Sequence, residues 1–310
     1  MILAFTPNPA MDETYAAPGA SIDSSHRVSL LHRQAGGKGL NVARVLHAQQ
    51  YPTHAIFPSG GRTGREFVEE LQSAKVPFTA VPTAADTRRS MSFFDPQANT
   101  TSVFNEAGSP LSTQEWEQLH ASYVELLEGA DAVAICGSWP AATDPALIRS
   151  FITEATERGI YTMVDTSGPL MLEAASSGAV LKPNEHELLA ATGAATLIDG
   201  AAQLLQRGAA EIYLSAAERG IYHFTQETPL VAHARLGRAL TGNPTGAGDS
   251  AVAAILASKF ARSNREDTLR RAVGWSASTV LMPTAGVLSP ETQTLNQEVV
   301  YRILPEGEDI

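Results

Sequence analysis

Cysteine is almost absent from the sequence, since Cys136 is the only one among 310 residues. A single thiol cannot form an intrachain disulfide, which excludes a disulfide-stapled scaffold and favours a reducing compartment. Cys136 ends the apolar run DAVAIC, so we expect it to fill a buried strand. The N-terminal stretch MILAFTPNPAMDETY has no basic region and soon turns polar, which is not typical of a signal peptide. We therefore predict a cytoplasmic protein.

Positive charge and long apolar runs are also scarce. The sequence has 22 Lys and Arg against 33 Asp and Glu, a formal charge of −11, and no basic block, which argues against nucleic acid or an anionic membrane as partner. No stretch approaches the ~20 apolar residues that a membrane-spanning helix needs. Aromatic residues make up only 6%, but the 44% apolar content suffices for one large α/β domain or two smaller ones.

Short apolar runs rich in β-branched residues alternate with helical patterns. ILAFT precedes GLNVARVLHAQQ, HAIFPSG precedes GREFVEELQSA, and DAVAICGS precedes PALIRSFITEATERG. This order predicts a mostly parallel sheet with helices on both faces. Residues 12–34 and 88–106 leave no room for a crossover helix, so we predict antiparallel strands that form a small lid over one end of the sheet. No repeat or linker divides residues 1–310, which predicts a single domain.

The stretch NPTGAGDSAVAAIL, residues 243–256, places small residues directly before a helical pattern. Gly246, Ala247 and Gly248 would leave backbone N–H groups accessible at the positive end of that helix, where a phosphate can bind. Asp249 beside an anion is costly for binding but useful for removing a proton from an attacking hydroxyl. The alternative is that Asp249 is only an acidic residue at a helix start.

The stretch AGGKGLNVARVL, residues 35–46, has the same form. Its glycines open a helix, with Lys38 in the loop and Asn41 in the first turn. The spacing matches neither the P-loop nor a dinucleotide fingerprint, which argues against a nucleotide-dependent oxidoreductase. Lys38 either contacts a ligand phosphate or is solvated.

The stretch LKPNEHELL, residues 181–189, places Asn184 and Glu187 three residues apart at a helix start. Such oxygen ligands suit a Mg²⁺ ion that keeps several of its waters. Alternatively, Glu187 belongs to a helix cap. The spacing alone leaves both interpretations open.

Eight motifs together resemble the ribokinase-like PfkB sugar kinases, and most of all the 1-phosphofructokinase and tagatose-6-phosphate kinase branch. In chain order they are AMD, AGGKGLNVARVL, TRRSMSFF, SVFNEAG, GSWP, VDTSG, LKPNEHEL and NPTGAGDSAVAAIL. The resemblance implies a three-layer α/β/α sandwich with a β-strand lid, often buried against a second subunit. It also implies ATP- and Mg²⁺-dependent phosphoryl transfer to a primary hydroxyl of a ketohexose phosphate, fructose 1-phosphate or tagatose 6-phosphate.

The same resemblance implies a role for individual residues, named here by their numbers in this chain. Asp249 matches the catalytic base, and the anion hole falls to Gly246, Ala247 and Gly248. The expected substrate contacts are Asp12, Arg27, Gly36, Gly37, Lys38, Asn41, Arg88 and Ser138, with Arg27, Lys38 and Arg88 at the substrate phosphate. The Mg²⁺ and triphosphate network falls to Asn184 and Glu187, and the nucleotide to Lys182, Ser215, Gly220, Thr245 and Gly248.

One stretch departs from the family pattern. SAAERG stands where relatives usually have Ser-x-Gly-x-x-Gly, so Ala217 replaces a glycine and Arg219 lies near the nucleotide. The departure leaves nucleotide affinity and identity open. The alternatives to a phosphosugar kinase are a regulatory protein of the same fold without turnover, or a kinase of a non-phosphorylated sugar or nucleoside. The expected partners are a phosphosugar, a nucleotide and a second copy of the chain at the lid, without nucleic acid or membrane.

Overall fold

A computed structural model describes residues 1–98, 100–305, 308 and 310. Within these ranges the chain forms fourteen strands. They are β1 (Ile2–Phe5), β2 (Ala10–Ala16), β3 (Ser29–Gly36), β4 (Thr53–Gly60), β5 (Phe78–Thr83), β6 (Arg88–Asp95), β7 (Thr100–Asn105), β8 (Ala132–Cys136), β9 (Tyr161–Asp165), β10 (Val180–Leu181), β11 (Glu211–Ser215), β12 (Ile221–Thr225), β13 (Ala232–Leu236) and β14 (Val299–Ile303).

Ten α-helices accompany the strands in the same described ranges. They are α1 (Lys38–Ala48), α2 (Gly61–Ser73), α3 (Thr113–Leu127), α4 (Pro145–Thr156), α5 (Pro169–Ser176), α6 (Glu185–Thr192), α7 (Leu197–Arg207), α8 (Ala247–Phe260), α9 (Arg265–Val280) and α10 (Thr292–Glu298). No single helix there is long and apolar enough to cross a membrane, although α6 and α7 together, across a bend of 62°, have the length and composition to do so.

Ten strands form the central sheet in the order β14-β13-β12-β11-β10-β9-β8-β1-β4-β5. The strands from β5 to β11 along this order pair in parallel, and β12, β13 and β14 extend the sheet antiparallel. The predicted mostly parallel sheet is confirmed. Cys136 at the end of β8 is 1% exposed, as its apolar run predicts.

Helices cover both faces of this sheet, so the inner strands β1, β8 and β10 are apolar at every position. In β1, Leu3 and Phe5 pack toward the core shared with α3 to α7, whereas Ile2 and Ala4 face the side of α1, α2, α8 and α9. Helix α8 is buried along nearly its whole length, because its run of Ala, Val, Ser and Ile is small enough to fit between the sheet, α1 and α9. The three-layer α/β/α sandwich predicted by the resemblance is therefore present.

The remaining four strands form a second sheet, here called the lid, in the order β3-β2-β6-β7. The pairs β2–β3 and β6–β7 are antiparallel, as predicted. The two hairpins join through the parallel pair β2–β6, which corrects the expectation of purely antiparallel strands. Because β2 follows β1 and β6 follows β5, both strands leave the same edge of the parallel sheet and run in one direction. β2 begins and β3 ends two residues outside the predicted range 12–34, within which residues 17–28 form no strand, whereas β6 and β7 lie inside the predicted range 88–106.

Candidate active site

A cleft of about 1080 Å³ lies between the lid and the carboxyl ends of the parallel strands. Ligand sites of open α/β sheets occur at this edge because helix N-termini and loop side chains converge there. Most of the residues predicted from the sequence line it. They are Asp12, Gly37, Lys38, Asn41, Arg88, Ser138, Lys182, Asn184, Glu187, Ser215, Gly220, Thr245, Gly246, Ala247, Gly248 and Asp249.

The start of α8 is open because glycine and alanine form it. Gly246, the residue before the helix, has φ +81° and approaches Ala285 so closely that a Cβ would lie 2.5 Å from the alanine Cβ. No side chain caps this helix start. Backbone N–H groups at the positive end of α8 thus face the cleft without a side chain competing for an incoming anion.

Asp249 is buried in the first turn of α8, with 6% of its surface exposed. Its Oδ2 accepts a hydrogen bond of 2.7 Å from Nδ2 of Asn41 in α1, so the side chain does not cap its own helix. Burial raises the pKa of Asp249 to about 6, although Lys38 opposes the shift. The carboxylate is therefore more basic than an ordinary aspartate.

The side-chain amide of Asn41 binds Asp249 through its nitrogen and leaves its oxygen available to a ligand. Its Oδ1 is buried and has no hydrogen-bond partner among the described residues. A buried acceptor without a partner costs free energy until a donor reaches it. The amide oxygen is therefore suited to accept a hydrogen bond from a ligand hydroxyl.

A second buried aspartate, Asp165 at the end of β9, was missed by the sequence analysis. Lys38 Nζ lies 2.9 Å from its Oδ1, and Lys182 Nζ lies 3.5 Å from its Oδ2. Burial would raise the pKa of Asp165, but Lys182 and Lys38 together hold it below its usual range. Lys38 is thus paired with a buried carboxylate, although 39% of its side chain is exposed. The available signal was the motif VDTSG, in which a carboxylate ends a parallel strand.

The start of α6 is closed by a reciprocal cap. Asn184 Oδ1 accepts a 2.8 Å hydrogen bond from the Glu187 N–H, and Glu187 Oε2 accepts one of 2.9 Å from the Asn184 N–H. The capping alternative for Glu187 is confirmed. Its Oε1 lies 3.9 Å from Lys38 Nζ, on the cleft side.

A metal ion would find few direct protein ligands in this cleft. The described residues contain no group of three His, Cys, Asp or Glu side chains arranged to hold one. Glu187 and Asn184 nevertheless present oxygen atoms at the cleft. This sparse oxygen set fits Mg²⁺, which keeps most of its waters and takes its remaining ligands from substrate phosphates.

Arg88 lies at the base of the lid, where β6 begins. Its Nε and Nη2 donate to the carbonyl of Asn8 at 3.2 and 3.1 Å, and its Nη1 donates to the carbonyl of Glu106 at 3.1 Å. A guanidinium has five N–H donors, so two remain for a ligand. These backbone contacts fix the direction of the guanidinium before any ligand arrives.

Asp12 lies beside Arg88 on the neighbouring strand β2. Burial raises the pKa of Asp12 to about 7, with Arg88 opposing the shift. Gly36 does not line the cleft, but a Cβ at that position would come within 1.9 Å of Asp12 Oδ2. Gly36 therefore makes room for the Asp12 carboxylate. Arg27 lies in the exposed segment between β2 and β3, outside the cleft lining.

The far end of the cleft is mostly apolar. Ser215 ends β11, and SAAERG forms a short 3₁₀ turn at Ala217–Arg219 before Gly220. Leucine, valine and alanine side chains also line this cleft, namely Leu236, Ala239, Leu240, Val273, Ala277 and Val280. A flat apolar ring such as a nucleobase suits this end, whereas charged groups suit the end near Asp165 and Arg88.

The chain combines a three-layer fold with a helix start opened by glycine, a buried carboxylate and lysines at one edge of the sheet. This combination is typical of the class of small-molecule kinases with a lid. The pfkB family carbohydrate kinase pattern matches residues 8–292. The chain belongs to this family and is a sugar kinase.

Solved structures of similar proteins share the fold along nearly the whole chain. Phosphofructokinase-2 from Escherichia coli, in complex with potassium, is 24% identical with a TM-score of 0.89, covering 96% of this chain and 98% of that one. A possible 1-phosphofructokinase from Thermotoga maritima is 21% identical with a TM-score of 0.86, covering 98% and 100%. At these identities the likeness shows the fold.

Proposed function

We propose that this protein transfers the γ-phosphoryl group of ATP to the primary hydroxyl of a ketohexose phosphate, forming a ketohexose bisphosphate. Fructose 1-phosphate and tagatose 6-phosphate are the proposed acceptors, in one kinase domain spanning the chain. The observation that carries the proposal is the buried Asp249 carboxylate at the open start of α8, with Arg88 at the lid side of the same cleft.

Asp249 acts as the general base in this proposal. Its pKa of about 6 leaves it mostly ionised near neutral pH yet basic enough to take a proton from the attacking hydroxyl. Asn41 fixes one carboxylate oxygen, which restricts the direction from which the hydroxyl approaches. The N–H groups at the start of α8, from Gly246 to Gly248, stabilise negative charge on the transferred group.

Two lysines and the residues of the α6 cap would bind the nucleotide phosphates and their metal ion. The resemblance assigns Lys38 to the substrate phosphate, but Lys38 lies with Lys182 on Asp165, so we propose that both lysines neutralise phosphate charge when the nucleotide binds. Asn184 and Glu187 would hold hydrated Mg²⁺, which neutralises charge on the phosphates when bound. Ser215, Gly220 and Thr245 line the end proposed for the nucleoside.

Arg88 and Asp12 recognise the acceptor. The two free N–H donors of Arg88 suit the phosphate already on the sugar, because a guanidinium binds phosphate through charge-assisted hydrogen bonds. Asp12, Asn41 and Ser138 suit sugar hydroxyls. Arg27 lies outside this cleft lining, so the clamp within one chain rests on Arg88.

The lid strands expose several large apolar side chains. Leu30, Leu31, Val103 and Phe104 are 52%, 58%, 54% and 47% exposed. A second copy of the chain would bury these side chains, so we propose a homodimer through the lid. The E. coli phosphofructokinase-2 has been solved in a tetrameric inhibited form, which shows that this related protein assembles.

A coupled assay of ADP release tests the proposal. The acceptor panel contains fructose 1-phosphate, tagatose 6-phosphate, non-phosphorylated fructose and fructose 6-phosphate, the last because the E. coli phosphofructokinase-2 was solved with it. We expect Mg²⁺-dependent ADP release with one of the first two. Equal use of fructose would support a kinase of non-phosphorylated sugars, and no ADP release with any of them would support a regulatory protein.

A further inference from the structure

The turn that ends β11 has an unfavourable backbone conformation. Ala217 has φ +47°, in the left-handed region that residues with a side chain rarely adopt. Such a residue persists only where its surroundings hold it. The turn lines the apolar end of the cleft through Ala217, Glu218 and Gly220.

Besides the backbone hydrogen bonds within the turn, two contacts of Arg219 connect it to neighbouring elements. The guanidinium of Arg219 forms an ion pair with the carboxylate of Glu185, the first residue of α6. The carbonyl of Arg219 is 2.6 Å from Nε2 of His233 in β13. His233 is 3% exposed, and its Nδ1 lies 3.3 Å from the donor Nε of Arg302, which leaves Nε2 to carry the proton and donate to Arg219.

The Arg219–Glu185 pair joins two parts of the cleft that are otherwise linked by hydrogen bonds of 2.9 and 3.2 Å from the N–H and the hydroxyl of Ser215 to the carbonyl of Pro183. Glu185 directly follows Asn184, whose cap places Glu187 beside Lys38. A further main-chain bridge connects Asn184 with Ser215, just before the turn. The Arg219–Glu185 pair therefore connects the apolar end of the cleft with the end that contains Lys38 and Lys182.

We propose that Arg219 is a positioning residue for the nucleotide, and that its ion pair with Glu185 holds the 215–220 turn in the conformation that receives it. This rests on the nucleotide site proposed above. A turn already held in the bound conformation loses less conformational freedom on binding, so affinity is gained without any direct contact to the ligand. The acceptor end of the cleft has no part in the pair.

The test begins with Arg219→Ala and Glu185→Ala. Each variant should raise the KM and the Kd for ATP by about three- to tenfold, the usual effect of one lost preorganising contact. The kcat and the KM for the sugar phosphate should stay within about twofold. The exchanged pair Arg219→Glu with Glu185→Arg should recover at least half of the lost affinity, which a purely structural role at either site would not predict.

Arg149→Ala is the matched control. Arg149 pairs with Glu173 at 2.6 Å and is 54% exposed, close to the 46% of Arg219, but this pair joins α4 and α5 and does not contact the 215–220 turn. This control should leave every nucleotide constant unchanged. A rise in KM equal to that of Arg219→Ala would show a general effect of surface charge and would overturn the proposal.

Calorimetric titration with ADP separates this inference from the proposed reaction, because it needs no turnover. Wild-type protein that binds no ADP would overturn the nucleotide site itself. If the Arg219→Ala and Glu185→Ala variants bind ADP as tightly as wild-type protein does, the nucleotide site remains supported but the positioning role of Arg219 is overturned. Faster hydrogen exchange of residues 215–220 in both variants is the accompanying result that we expect.

Discussion

The start of α8 and the end of β9 each carry a buried aspartate, yet the two carboxylates are shifted in opposite directions. Burial raises the pKa of Asp249 to about 6, and its nearest donor is the neutral amide of Asn41. Burial acts on Asp165 as well, but Lys38 and Lys182 outweigh it and lower the pKa. Burial alone therefore does not make a base, and the placement of two lysines decides which aspartate can serve as one.

The largest effect that would test this comparison is on turnover. Asp249→Asn keeps the size of the side chain but removes the proton acceptor, so kcat should fall by about 10² to 10⁴. Steady-state ADP release and separate ligand titrations would measure it, with binding retained. If Asp249 were only an acidic residue at a helix start, kcat would stay near the wild-type value.

The matching change at the end of β9 should act on stability. Asp165→Asn leaves the 4% exposed Lys182 and the 39% exposed Lys38 without their buried counter-ion. Breaking a buried pair costs about 3 to 5 kcal/mol, and we expect the lower end because Lys38 reaches solvent. Urea unfolding at pH 7.5 would measure the loss. An unchanged unfolding midpoint would show that the lysines find other partners.

Arg88→Ala probes the acceptor side of the α8 start. Loss of a charge-assisted contact to phosphate costs about 1.5 to 3 kcal/mol, which corresponds to an increase in the sugar-phosphate KM of about 10- to 100-fold. The KM for ATP should not change, because Arg88 lies at the lid. An equal rise in both constants would indicate a disturbed lid, since Arg88 also binds the carbonyls of Asn8 and Glu106.

The raised pKa of Asp249 predicts opposite trends of stability and activity with pH. The folded pKa of about 6 exceeds the unfolded value near 4, so stability is lost as pH rises from about 4 to 6. Asp249→Asn should therefore be more stable than wild type by about 1 to 3 kcal/mol at pH 8 and nearly equal to it at pH 4. Wild-type kcat/KM should fall as pH drops through about 6. Denaturant unfolding and a pH–rate profile would measure both, and a variant less stable than wild type at pH 8 would contradict the shift.

Glu187→Gln should have the smallest effect. An acidic residue in the first turn of a helix contributes about 0.3 to 1 kcal/mol, and glutamine preserves the reciprocal cap with Asn184. We expect the Mg²⁺ concentration for half-maximal activity to rise while the melting temperature changes little. A Mg²⁺ titration identical to that of wild type would leave Glu187 with its capping role alone.

The sequence predicted those features that depend on neighbours along the chain. The start of α8 and the lid strands are local patterns, and the structure shows both. The cap at Asn184 is also local, and it was one of two interpretations that the spacing left open. The partnership of Asp165 with Lys38 and Lys182 could not be predicted, because the three residues lie in separate segments, at the end of β9, at the start of α1 and just after β10, that meet only in the folded chain. The parallel pairing of β2 with β6 likewise depends on where β1 and β5 end.

In the function proposed above, the burial of α8 on all sides separates the reacting carboxylate from the residues that select the sugar. Residues 249–258 of that helix are packed between the sheet, α1 and α9. Close packing of the interior therefore fixes the position of Asp249 and tolerates little change there. The lid strands β6 and β7 are half-buried or exposed along their length. Acceptor preference can therefore diverge in the lid while the reacting centre stays fixed, and a designer who wants a new substrate should vary the lid and leave the helix untouched.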